Sequence, residues 1–261
     1  MTALASAVRR TGPPPVLAAI AAAWALAVVA QWLGAAGAFH HDALIEGGLA
    51  MWAALGLFLL SWQAMIAAMM LPSSLSFIRV YERASSTQPR ARAATAAFLA
   101  GYAAVWTAFG VFAFLGDAVI HELVHRSVWL EQRPWLIAGS VLALAGAFQF
   151  SSLKDACLHE CRNPASYLLR RYRRGVWEAF RIGRGHGLYC LGCCWALMLL
   201  AFAVGVVSLS WMAALTLVMV FEKTWKGGDR GARPIGVALF ALAALVLAYP
   251  GAAPMLGFES G

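Results

Sequence analysis

Residues 93–116 read AATAAFLAGYAAVWTAFGVFAFLG, a run without a single Asp, Glu, Lys or Arg. About 20 predominantly apolar residues are what an α-helix needs to cross the ~30 Å hydrocarbon core of a bilayer. Backbone amides in that core must be satisfied within the segment itself, so the run predicts a transmembrane helix and not a strand or loop. Similar apolar segments lie at 16–33, 49–71, 135–150, 188–207, 210–221 and 234–249, each bounded by charged or Gly/Pro-rich residues. Hydrophobic residues make up 62% of the 261 and charged residues only 12%, a composition outside the range of soluble domains. The expectation is all-α: a polytopic transmembrane helical bundle of about seven spans, with residues 1–261 forming a single membrane domain.

The basic residues orient the bundle. If the N-terminus is cytoplasmic, every one of the 20 lysines and arginines except Arg126 and Arg133 falls on the inner side. That bias predicts the N-terminus inside and the C-terminus outside. It also decides the shortest segment, 210–221. Joining it to 188–207 as one bent helix would put Lys223, Lys226, Arg230 and Arg233 outside, so a hairpin turning near Ser208 and Ser210 is expected. Arg9 and Arg10 before an apolar run, with Ala36-Gly37-Ala38 after it, also permit a cleaved signal peptide, but the run is longer than a signal core of about 7–15 residues.

Within this apolar background the five cysteines are concentrated: Cys157 and Cys161, then Cys190, Cys193 and Cys194. The topology puts them at the inner end of the fourth span, in a cytoplasmic connection 151–187, and at the start of the fifth span. The cytosol is reducing, so free or metal-bound thiols are expected there, not a disulfide framework. At about 100° per residue, His186, Cys190, Cys193 and Cys194 fall within an arc of about 100° on one helix face. Cys157 and Cys161 are an i, i+4 pair on a second short helix ended by Asn163-Pro164. Cys190 is placed in the first turn of its span, where the helix dipole favours negative charge. Trp62, Met65, Met69 and Met70 end the second span just before Leu71-Pro72, with Met65 and Met69 at i, i+4. Thioether beside thiolate selects monovalent copper over hard cations, with zinc as the other candidate. Against this stands the ordinary use of Met and Cys as small or adaptable core filler.

A second group lies at the outer end of the third span. His121-Glu122-Leu123-Val124-His125 matches HExxH, the zinc-protease pattern in which two imidazoles hold the metal and the glutamate polarises water. His40, His41 and Asp42 in the first outer loop could add a ligand, making His121, His125, His40 and His41 a possible second, outer metal site. The Cys190–Cys193 CxxC permits a third class, membrane thiol-disulfide exchange, although disulfide-forming enzymes keep such a pair on the oxidising side. Glu222 is expected to pair with Lys223 or Lys226, or to neutralise a cation. The span interiors show no charged pathway. The run Arg170-Arg171-Tyr172-Arg173-Arg174, followed by Val176, Trp177 and Phe180, reads as an interfacial segment attracted to anionic membrane lipids and not as a nucleic-acid site.

The stretch from Gln149 through Lys154, Cys157 and Cys161 to Pro164 carries a resemblance, as do His186 to Met198 with the Cys193-Cys194 doublet, Ala68-Met69-Met70-Leu71-Pro72, and Glu222-Lys223. Together they resemble the bacterial family of predicted metal-binding integral membrane proteins carrying the DUF2182 domain, sometimes labelled copper chaperones. The resemblance covers residues 50–225. It implies a multi-pass protein of the bacterial inner membrane, with metal bound by Cys157, Cys161, Cys190, Cys193 and Cys194 and a metal-donor or metal-acceptor protein as partner. His186 is a further candidate ligand, and Met65 and Met69 are candidate secondary ligands. The expected function is Cu(I) relay or storage at the cytoplasmic face, more in keeping with a binding protein than with an enzyme.

Overall fold

The computed structural model describes residues 13–34, 50–204 and 208–255. Ala36-Gly37-Ala38, His40, His41 and Asp42 lie outside the described residues. The principal helices are α1 (Pro14–Trp32), α2 (Met51–Ser85), α3 (Ala91–His125), α4 (Val128–Glu131), α5 (Pro134–Phe148), α6 (Ser152–Arg162), α7 (Pro164–Arg171), α8 (Val176–Val204), α9 (Leu209–Thr224), α10 (Ala232–Ala248) and α11 (Ala252–Met255). A 3₁₀ turn at Gly228–Gly231 precedes α10. Among the described residues there is no strand.

Each of the seven apolar segments coincides with one helix, but not every helix is long enough to be a span. Five, corresponding to α1, α2, α3, α8 and α10, are long and apolar enough to cross a membrane. The bent pair α5–α6, broken by 64°, makes a sixth if counted as one span. At 16 residues α9 rises about 24 Å, short of a ~30 Å core. It starts at Leu209 after α8 ends at Val204, and near its far end Lys223 meets Cys190. The chain therefore doubles back between α8 and α9, as in a hairpin.

Two helix boundaries correct the sequence reading. The second apolar helix does not stop at Leu71-Pro72; α2 runs through Pro72 to Ser85. Proline has no N–H to give the carbonyl four residues back, here Ala68. That carbonyl is filled instead by the indole Nε1 of Trp24 on α1, at 3.0 Å, so a tertiary contact replaces the lost helical bond. Likewise, the connection 151–187 is helical beyond the short segment expected before Asn163-Pro164. It holds α6, α7 and the first turns of α8, whose start at Val176 leaves Cys190 more than three turns inside the helix. The helix dipole therefore does not act on Cys190, since its effect fades within the first turn.

The α3–α8 interface is the most extensive in the fold, and glycine makes it close. A Cβ on Gly183 would collide with the backbone carbonyl of Phe98, and one on Gly101 with the carbonyl of Phe180. Gly187, four residues after Gly183, lies against Val105 and Tyr102. This GxxxG spacing lets two helix backbones approach, and it sets the distance at which α3 side chains meet the cysteine face of α8.

Candidate metal site

All five cysteines are free and buried, and they share one core with Met65, Met69 and Met70. Cys190, Cys193 and Cys194 project from α8, as the helical arc predicts. Cys157 and Cys161 come from α6, which the 64° bend after α5 turns to pack against α8 and α9. Ser151 starts α6 by accepting the backbone N–H of Lys154 at 3.1 Å, a side-chain N-cap. Gly192 allows the close approach of α6 to α8, since a Cβ there would lie 2.5 Å from Cys157 Sγ.

The sulfurs form two groups. Cys161 Sγ lies 3.9 Å from Cys193 Sγ, joining α6 to α8. Cys194 Sγ lies 3.6 Å from Met70 Sδ, joining α8 to α2, and shares with Cys190 Sγ the Lys223 ammonium at 3.9 and 3.1 Å. The two groups are linked along α8, because Cys193 Sγ and Cys194 Sγ both turn back toward the Cys190 carbonyl oxygen, at 3.1 and 2.8 Å. Among the described residues Met70 is the thioether seen against a cysteine sulfur, and Met65 and Met69 are buried in the same core. The Cys161–Cys193 sulfur contact spans two helices. Among the described residues no three His, Cys, Asp or Glu side chains are gathered so that they could hold a metal ion.

Three polar groups surround Cys190 Sγ: Lys223 Nζ, which donates, and Tyr102 Oη, each at 3.1 Å, with Ser74 Oγ at 3.9 Å; both hydroxyls can donate to a thiolate there. Lys223 Nζ also donates to Ser73 Oγ at 3.1 Å. Such donors stabilise negative charge on sulfur. The Tyr102 contact follows from the close packing at Gly187.

Glu222 does not pair with Lys223 or Lys226. Its Oε2 accepts from Lys154 Nζ at 2.7 Å, in an ion pair that is almost wholly buried, and Lys154 Nζ also donates to the Cys193 carbonyl at 3.2 Å. Burying two charges is tolerated only when both are paired and hydrogen-bonded. Two lysines and a glutamate thus lie buried beside the cysteines, carried by the first turn of α6 and the last turn of α9. Arg162, at the end of α6, donates to the carbonyls of Glu222 and Trp225 and lies 3.6 Å from Asp229. It satisfies carbonyls that the end of α9 would leave open.

His186 is buried but faces the aromatic layer. Its ring stacks on Phe77 at 3.8 Å, with Tyr102 at 5.4 Å, and neither ring nitrogen has a hydrogen-bond partner among the described residues. Tyr102 therefore stands next to both His186 and Cys190. On α3, the His121 and His125 rings are 5.2 Å apart, while Glu122 is exposed and paired with Arg126 at 2.7 Å. The glutamate that HExxH chemistry would use is engaged in a surface ion pair.

Sequence reasoning did not single out Tyr102, Ser73 or Ser74, and named Lys154 only within the stretch that carries the resemblance. Gly183-x-x-x-Gly187 was the available signal for the α3–α8 contact that delivers Tyr102. The rest depends on contacts between helices distant in sequence.

A sequence model of the PpoB2 family, described as copper chaperone, matches residues 59–246, which include every one of these cysteine, methionine and lysine positions. No curated protein and no solved structure matches the chain. Spanning well over half of the sequence, the match shows that the chain belongs to the PpoB2 copper chaperone family.

Proposed function

We propose that the protein is a multi-pass copper chaperone of the bacterial inner membrane that holds Cu(I) as cargo on the buried sulfurs of α8, α6 and α2. The observation that carries this reading is the grouping of Cys190, Cys194 and Met70, with a thioether 3.6 Å from a thiol and a lysine ammonium against both cysteines. Thiolate and thioether together are a soft donor set, suited to Cu(I). Structural zinc is held by four closed ligands, whereas these sulfurs are strung out across α2, α8 and α6 with a thioether at one end. Cys161 and Cys193 are the second pair, and Cys193 and Cys194 are adjacent in sequence. An ion can pass between the pairs by replacing one sulfur ligand with the next, without a change of oxidation state.

The positive-inside bias supports a cytoplasmic position for α6 and the cysteines. There a soluble copper donor or acceptor would meet the basic α7 region, which also faces anionic lipid. The decisive experiment is elemental analysis of anaerobically purified protein after growth with copper and zinc. Wild type should carry copper, with partial loss in Cys190→Ser/Cys194→Ser and in Cys161→Ser/Cys193→Ser, and complete loss when the two pairs are combined. Zinc in place of copper, or copper unaffected by all four substitutions, would refute the reading.

A further inference from the structure

The buried charges around the sulfurs do not balance. Lys154 is matched by Glu222 at 2.7 Å. Lys223, also buried, makes no ion pair with a carboxylate among the described residues. Its ammonium is directed at Ser73 Oγ and Cys190 Sγ, each at 3.1 Å, and at Cys194 Sγ at 3.9 Å. The anions available to it are therefore sulfurs. Buried charge is tolerated when it is neutralised locally, which makes charge counting a constraint on any ion bound there.

With Cys190 and Cys194 as thiolates, the two sulfurs and Lys223 sum to one negative charge. A monovalent cation brings the group to zero. A divalent cation leaves one excess positive charge beside the ammonium, in a buried region where charge is poorly screened. At the Cys161–Cys193 pair Lys154 is matched by Glu222, and Lys223 acts on those sulfurs only through space, so charge-based discrimination is strongest at the Cys190–Cys194 pair, which its ammonium contacts.

We infer that Lys223 is a valence filter: its ammonium makes the Cys190–Cys194–Met70 group accept a monovalent soft cation and reject divalent ones. The inference rests on the copper reading for the identity of the favoured ion, but the exclusion of divalent ions is testable without copper. Lys223→Met removes the charge while keeping an apolar stem, and Lys223→Gln keeps a donor for Ser73; two variants guard against a failure of either to fold. Purified wild type and variants would be titrated anaerobically with Cd(II) or Zn(II), and separately with Cu(I), against a competing chelator. Cd(II)–thiolate absorption would report which sulfurs bind.

Loss of the ammonium should raise divalent affinity relative to Cu(I) at least tenfold, given a unit charge at about 4 Å in a poorly solvated site. The gain should vanish when Cys190→Ser and Cys194→Ser are added. Unchanged divalent affinity in both variants, or a gain that persists without those two cysteines, would overturn the filter. Wild type that binds no Cu(I), with divalent uptake still rising in the Lys223 variants, would overturn the copper reading while keeping the filter.

Discussion

The indole Nε1 of Trp24 donates at 3.0 Å to the carbonyl of Ala68, the group deprived of its helical donor by Pro72. Helix α1 thus repairs a defect in α2 next to Met69 and Met70. Trp24→Phe should cost about 1–3 kcal/mol, the penalty for leaving a buried carbonyl unsatisfied. In a Pro72→Ala background, which restores an N–H, the same change should cost roughly 1 kcal/mol less or better. Equal costs in the two backgrounds, read from denaturation in detergent, would show that the indole bond is not the repair.

The Lys154–Glu222 pair gives a second stability test. Lys154→Met strands a buried carboxylate and should destabilise by about 3–5 kcal/mol, whereas Lys154→Met/Glu222→Met should recover most of the loss. A double variant no more stable than the single one would mean that the pair holds α6 to α9 through something other than charge balance.

Glycine packing between α3 and α8 predicts a contrast. Gly183→Ala places a methyl into the Phe98 carbonyl and should cost about 1–3 kcal/mol by overpacking. It should also reduce bound copper by moving Tyr102 from Cys190. Gly56→Ala meets nothing within 4 Å and should gain roughly 0.5–1 kcal/mol from helix propensity. Melting temperatures that move in the same direction would contradict the contrast.

Among the methionines, Met70→Leu should weaken Cu(I) binding about tenfold, since it removes the thioether nearest a cysteine. Met65→Leu should leave affinity within about threefold, as an exchange of one core side chain for another. Chelator competition on purified variants measures both, and equal effects would remove Met70 from the ligand set.

Orientation can be read by labelling. The native cysteines are no more than 9% exposed, so they contribute little background. An impermeant maleimide added to intact spheroplasts should label Arg126→Cys but not Arg173→Cys, and inverted vesicles should give the opposite pattern. The reverse result would invert the topology and place the cysteine site at the outer face.

The helices were legible because each has an apolar run, but their ends were not. α2 and α8 continue beyond the apolar stretch through Ser73–Ser85 and Val176–Gly187, where polar residues are held by packing against α3 and α7. A rule that ends a helix at Pro72 could not foresee an indole from α1 taking the free carbonyl. Cys190, Cys193 and Cys194 were legible as one face because their spacing is local. Lys223, Tyr102 and Met70 reach the sulfurs from three other helices, and local periodicity carries no record of such meetings.

The burial of all five sulfurs has a kinetic meaning. A soluble thiol cannot attack a ligand it cannot touch, so on the proposed reading an ion held here would be insulated from exchange with the surrounding thiol pool. Release then waits on a local opening, and α6 is the element whose displacement would uncover Cys157 and Cys161 first. The residence time of the cargo would be set by the rate at which that helix lifts, with a docking partner acting as the trigger, and not by the strength of the metal–sulfur bonds alone.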